Sequence, residues 1–182
     1  MKIASIPGIV TVALIAALGF SCSSDLPNPP PAATKPAPGG QTVSEDLFHQ
    51  VNSWRISHGA KPLQRHPGLD QLAREHSEFL RRNRSIFEEN WKKLSHAGFS
   101  SRAKIMQRDY HMGFCAENVV TAFDNGARPA PRLLAFWADS KGHEKNMKSK
   151  RWTHTGVAVA IDEDGTLFAT QLFAAENPAM NR

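Results

Sequence analysis

Leu69, Leu72, Ala73, His76, Phe79 and Leu80 recur at the three- and four-residue spacing of a helix, with Arg74, Glu75 and Glu78 on the opposite face. Leu47, Val51 and Trp54 predict an earlier helix. Thr42 and Glu45 have the spacing of a capping box at its start, and Gly59 supplies its stop. Gly98 to Met106 reads as a short helix with Ser100 as its cap. The pattern then changes: Phe114 to Ala122 is a β-rich run closed by the turn signal Asp124-Asn125-Gly126. Pro129 and Pro131 suit the first turn of a helix with Leu133, Leu134 and Trp137 on its apolar face. Thr155 to Ile161 and Thr166 to Phe173 read as a hairpin joined by Asp162 to Gly165. Helices come first, strands cluster late, and neither βαβ alternation nor an internal repeat appears. The pattern predicts one α+β domain, an antiparallel sheet covered by helices.

Two segments precede this pattern. Lys2 is followed by an uncharged apolar run, Gly8 to Phe20, of the length of a secretory signal rather than a membrane span. Ser21 and Cys22 follow at once, an arrangement similar to a bacterial lipoprotein signal with Cys22 as the lipidated residue. Such signals usually carry leucine three residues before the cysteine; here that position is Gly19. Residues 1–22 are thus read as a signal peptide with a lipoprotein cysteine, which implies export and a lipid anchor at the cell envelope, with plain secretion as the alternative. Residues 23–41 hold six prolines among small and polar side chains. They have too little apolar surface to offset the entropy of ordering, so they read as a disordered tether with a reach of roughly 60 Å. The folded domain is expected over 42–182.

The chain has 182 residues and a net charge of +5, and residues 42–182 carry 20 basic and 16 acidic side chains. Local basic clusters fall at Arg81, Arg82 and Arg84 and at Lys145, Lys148, Lys150 and Arg151. They read first as solvated surface, and more sharply as weak attraction to anionic envelope surfaces. No nucleic-acid motif with interleaved aromatics accompanies them, so nucleic acid is not an expected partner. Of the two cysteines, Cys115 lies between Phe114 and Ala116 and reads as a small buried hydrophobe rather than a nucleophile.

The eight histidines carry the candidate chemistry. His49, His58 and His66 sit at helix edges or turns, His111 and His154 beside strands, and His76 on an apolar stripe where a packed, hydrogen-bonded role is expected. His96 and His143 differ, because each follows a helix end in a small-residue context, Ser95-His96-Ala97-Gly98 and Lys141-Gly142-His143. Glu117 lies in Cys115-Ala-Glu-Asn-Val-Val120, a run otherwise fit for burial, where a carboxylate is costly unless paired or bound to a cation. Two imidazoles and a carboxylate form a plausible three-ligand set for a divalent, zinc-like metal with a water in the open position. Spacing alone does not show that the three converge.

Val51-Asn-Ser-Trp-Arg55 with His58-Gly59 and Pro62-Leu63, then Ser95-His96, Cys115-Ala-Glu-Asn118, Trp137 to Asn146 and Trp152-Thr-His-Thr-Gly-Val157 occur in an order that resembles the CAP superfamily. That superfamily comprises cysteine-rich secretory proteins, antigen 5 and pathogenesis-related 1 proteins, and its unit is the SCP domain. The likeness is to its bacterial branch, from about Thr42 to Phe173. It implies a three-layer α-β-α sandwich and a central cleft with two histidines, His96 and His143, and one acid, Glu117. The place of the family's second acid is taken by Ser140. Asn118 and Asn146 flank the same segments and are expected to line the cleft with Ser140.

The function expected is a cleft binding a divalent metal or a small or lipidic ligand at the cell envelope. The alternative is a metal-assisted hydrolase acting on peptides or envelope polymers, with Glu117, His96 and His143 as its groups. Hydrolysis needs an activated water and usually a positioned base, and Ser140 is no base at neutral pH. Neither a Gly-x-Ser-x-Gly elbow nor a His-Glu-x-x-His pair is present. A third reading has the histidines and Glu117 as a buried polar network that fixes the fold.

Overall fold

The computed structural model describes residues 13–14, 38–89, 94–123 and 128–176. Cys22 and the leader apart from Ala13–Leu14, the tether up to residue 37 and the turn at Asp124-Asn125-Gly126 lie outside the described residues. In chain order the elements are β1 (Ala13–Leu14), α1 (Pro38–Ser57), β2 (Gln64–Arg65), α2 (Pro67–Arg82), α3 (Arg84–Glu89), α4 (Phe99–Tyr110), β3 (Met112–Phe123), α5 (Pro129–Asp139), α6 (Lys141–Lys148), β4 (His154–Ile161) and β5 (Thr166–Glu176). The sheet order is β1-β3-β5-β4-β2, antiparallel throughout except for the parallel β2–β4 pair.

Strand alternation divides the core into two layers. Ala116, Val120, Val157, Val159, Leu167 and Phe173 face one side and pack with Leu47 and Val51 of α1, Leu133 and Trp137 of α5 and Met147 of α6. Ala158, Leu172 and Ala174 face the other side, against Leu69, Leu72 and Ala73 of α2 and Phe99 and Met106 of α4. The result is the expected α-β-α sandwich. On the second side α2 lies directly on β4 at Gly156, where a Cβ atom would sit 2.1 Å from the main chain of Leu69. Only glycine permits that approach.

The strands run one to three residues beyond the expected ends, and the helix expected over Gly98 to Met106 runs from Phe99 to Tyr110. Two helix starts differ for an identifiable reason. Helix α1 begins at Pro38 rather than Thr42, because its first turns are recruited by packing on β4. Ser44 Oγ accepts from Val159 N at 2.9 Å and donates to Gly40 O at 2.6 Å, and a Cβ on Gly40 would meet Val159 O at 2.6 Å. Glu45 does not complete a capping box but pairs with Arg65 and with His49. The cap of α4 is not Ser100 but Gly98, in the left-handed region at φ 73°.

Candidate functional site

The buried carboxylate of Glu117 organises the site. Glu117 is completely buried on β3 and faces the α2–α4 layer. Arg102, from the apolar stripe of α4 between Phe99 and Met106, grips it from two sides, Nε donating to Oε2 and Nη2 to Oε1, both at 2.9 Å. Arg102 Nη1 donates to Ala97 O at 2.8 Å across Gly98, whose left-handed backbone turns the chain from His96 into α4. His96 Nδ1 donates to Glu117 Oε1 at 2.9 Å, which in the neutral ring leaves the lone pair on Nε2. The His96 side chain is 10% exposed, against 0% for Glu117.

His76 completes the cluster from α2. Its Nε2 donates to Ser95 O at 2.7 Å and lies 4.0 Å from Glu117 Oε1. Burial, with Arg102 close by, lowers the His76 pKa to about 3, so its ring is neutral. Burial on its own would raise the Glu117 pKa, but Arg102, His76 and the His96 hydrogen bond outweigh it and hold the carboxyl at about 2. Ser95 Oγ, next in sequence to His96, is buried and makes no hydrogen bond among the described residues.

His143 reaches the same stretch of β3 from the other layer. Residues 117 and 118 are consecutive in a strand and face opposite sides, so Asn118 points toward α6 while Glu117 points toward α2 and α4. Asn118 Nδ2 donates to His143 O at 3.2 Å, and Asn146 Nδ2 donates to Asn118 Oδ1 at 2.9 Å. His143 is fully buried, and Asn118 and Asn146 are buried ties between helix and strand. Ser140 separates α5 from α6 in an extended conformation, and its carbonyl accepts from Glu144 N at 2.8 Å.

The structure thus joins His96 to Glu117 directly and brings His143 to the adjacent residue through its main chain. Sequence reasoning passed over Arg102 and the place of His76. The signal for Arg102 was an arginine three residues after Phe99 and four before Met106, on the buried stripe of its helix. A metal on Glu117 would have to displace Arg102, because both carboxylate oxygens already accept hydrogen bonds from a cation. Among the described residues no group of three His, Cys, Asp or Glu side chains is placed to hold a metal ion. Glu117 therefore does not fit as a direct ligand. Cys115 is half-buried and free, and burial raises its thiol pKa to about 12, so it stays protonated.

A cavity of about 250 Å³ lies elsewhere, along β4 between the start of α1 and α2. Of its charged lining groups, Arg65 pairs with Asp70 at 2.7 Å and with Glu45, while Arg74 bonds Gln71 and Glu78 pairs with Arg81. It shares no residue with the histidine site, and the chemistry rather than the volume places the candidate site at β3.

A three-layer α-β-α domain with a buried His–Glu–Arg cluster on one strand defines the class. The model of the cysteine-rich secretory protein family, CAP, matches residues 48–173, and the chain belongs to that family. No curated protein matches the sequence. Among solved structures, an outer surface protein from Borrelia burgdorferi superposes with a TM-score of 0.61 at 16% identity, over 75% of this chain and 95% of that one. A cysteine-rich secretory protein from Staphylococcus aureus gives 0.55 at 17% identity, over 79% and 41%. An extracellular SCP-domain protein from Bacillus anthracis gives 0.57 at 21% identity, over 79% and 45%. The chain spans under half the length of the last two.

Proposed function

We propose that this CAP domain is an exported binding module, not a hydrolase, and that His96 is its ligand-facing group, with Glu117 and Arg102 as positioning residues. The observation that carries the reading is the 2.9 Å bond from His96 Nδ1 to a buried, ionised carboxylate. That bond fixes the ring and leaves Nε2 as an acceptor, as carboxylates commonly do for metal-ligating histidines. The ligand is a zinc-like divalent ion held by His96 and His143 or the polar head of a small or lipidic molecule. When bound, such an ion would act as a Lewis acid. Zinc titration of the purified protein tests the metal form: binding is expected in the wild type and lost in both His96→Ala and His143→Ala. Equal, weak binding by all three would sink it.

The hydrolase reading loses its base, since a carboxyl held at about 2 and locked to Arg102 is a poor proton acceptor at neutral pH. Turnover of casein or peptidoglycan by the wild type, lost in His96→Ala, would reverse this ranking.

Export is supported by the Gly8 to Phe20 run and by outer-surface and extracellular proteins among the structural neighbours. No helix of the described residues is long and apolar enough to cross a membrane. Attachment at the envelope would rest on Cys22, and a Cys22→Ala protein that still partitions with membranes would show the lipid anchor to be wrong.

A further inference from the structure

The two basic clusters of the sequence have different fates in the fold. Arg81 and Arg84 are consumed by acids: Arg81 bonds Glu78 at 2.9 Å and lies 3.6 Å from Asp162, while Arg84 reaches Asp162 at 3.2 Å and Asp164 at 2.6 Å. The second cluster is not. Residues 141–151 hold Lys141, Lys145, Lys148, Lys150 and Arg151 against the single acid Glu144, a net of +4. That equals the whole net charge of residues 42–182, so the rest of the domain is neutral. All five cations are exposed, and among the described residues only Lys148 of the five has an ion pair, with Glu144 at 2.5 Å.

Helical geometry gathers these charges. Lys141, Lys145 and Lys148 fall at i, i+4 and i+7, one stripe along the outside of α6, opposite the buried His143, Asn146 and Met147. Lys145 and Lys148 are explained by the helix C-terminus, which favours cations, but Lys141 occupies the first turn, where the dipole disfavours them. Arg151 then turns the charge onto an apolar group. Its guanidinium lies 4.5 Å from the ring centre of Phe114, one of the most exposed large hydrophobic residues in the described fold at 53%. Lysines on one helix face beside a solvent-facing phenylalanine combine attraction to phosphate with a side chain able to enter the acyl boundary.

We propose that the outer face of α6, with Lys150, Arg151 and Phe114, docks on an anionic phospholipid surface. The surface is independent of the His96 site and of any lipid anchor, although the same helix carries His143 on its inner face.

The test measures binding of the full chain to phosphatidylcholine vesicles with and without phosphatidylglycerol. The apolar part of a leader or lipid anchor contributes to both vesicles alike, and Lys2 and Lys35 are unchanged in every variant. The part of the phosphatidylglycerol gain that the lysine variant loses therefore isolates this face. The wild type is expected to bind the anionic vesicles more tightly, and added salt to remove the gain. Lys141→Ala/Lys145→Ala/Lys150→Ala is expected to lose roughly a hundredfold on anionic vesicles only, from about one kcal/mol per cation. Phe114→Ser is expected to lose roughly tenfold, since its ring no longer leaves water. Equal wild-type binding to both vesicles, or a salt-insensitive gain, would overturn the proposal whatever the variants do. A triple variant that binds as the wild type would overturn it too. If the triple variant loses binding while Phe114→Ser keeps all of it, the face reads charge alone, its partner is an anionic polymer, and the membrane assignment fails.

Discussion

Glu117 is fully out of water yet ionised, because Arg102 and His96 supply the partners that solvent would have supplied. His76, two helices away in sequence, is neutral for the complementary reason: burial and Arg102 leave no room for a second positive charge. Both shifts make stability depend on pH in the same direction. The folded His76 titrates at about 3 against an ordinary 6.5, so the unfolded chain takes up the proton first. Its contribution is complete above 6.5 and is lost as pH falls from 6.5 toward 3. Glu117, at about 2 against 4.5, contributes stability that is complete above 4.5 and is lost as pH falls toward 2. Denaturant unfolding across pH 7 to 3 should therefore show stability falling in two overlapping stages. His76→Gln, which keeps a donor for Ser95 O, should flatten the upper stage and leave the lower; a parallel decline in both proteins would contradict the assignment. Glu117→Gln leaves Arg102 buried without its counter-charge and is expected to cost about 3–5 kcal/mol, read from the shift of the urea midpoint. At this scale the sequence showed the question rather than the answer. A carboxylate in a buried strand announces a missing cation. The cation's identity depends on how α4 packs across β3, which residue spacing does not encode.

Among the elements, α6 is held at both ends by atoms from elsewhere. Arg55, from the inward stripe of α1 with Leu47 and Val51, is fully buried and donates from Nη1 to Met147 O and to Ser149 O, the latter at 3.1 Å, and from Nε to Lys61 O at 3.0 Å. It satisfies the last carbonyls of α6, while Asn118 takes the carbonyl of His143 near the start. Arg55→Ala removes those donors from buried carbonyls and leaves a void, an expected loss of about 3 kcal/mol. Amide exchange in residues 143–149 should speed up more than exchange in β5; uniform acceleration would mean that Arg55 does not act through α6. At the other layer, Gly156→Ala forces a methyl group into the main chain of α2 and should cost at least about 1–3 kcal/mol in thermal unfolding. The existence and order of the long elements were legible because hydrophobic period and turn residues are local. The first turns of α1 were not, because Pro38 to Gln41 have no helical pattern of their own and are helical through Ser44 and Gly40 on β4.

For the whole molecule, the sheet both separates and joins the candidate groups. His96 and Glu117 belong to the α2–α4 layer and His143 to the α1–α5–α6 layer, and they meet only around β3. The family resemblance named these three residues together, and the division of labour among them follows from strand alternation and from Arg102. The central claim is that Glu117 sets the tautomer of His96, with the proton on Nδ1 and the lone pair on Nε2. Nitrogen-15 imidazole NMR of the wild type, before and after zinc, tests it directly. The account predicts a proton on His96 Nδ1, an unprotonated Nε2, and a zinc-induced shift at Nε2. A proton resident on Nε2, or a Nε2 signal indifferent to zinc and to every small ligand tried, would contradict it.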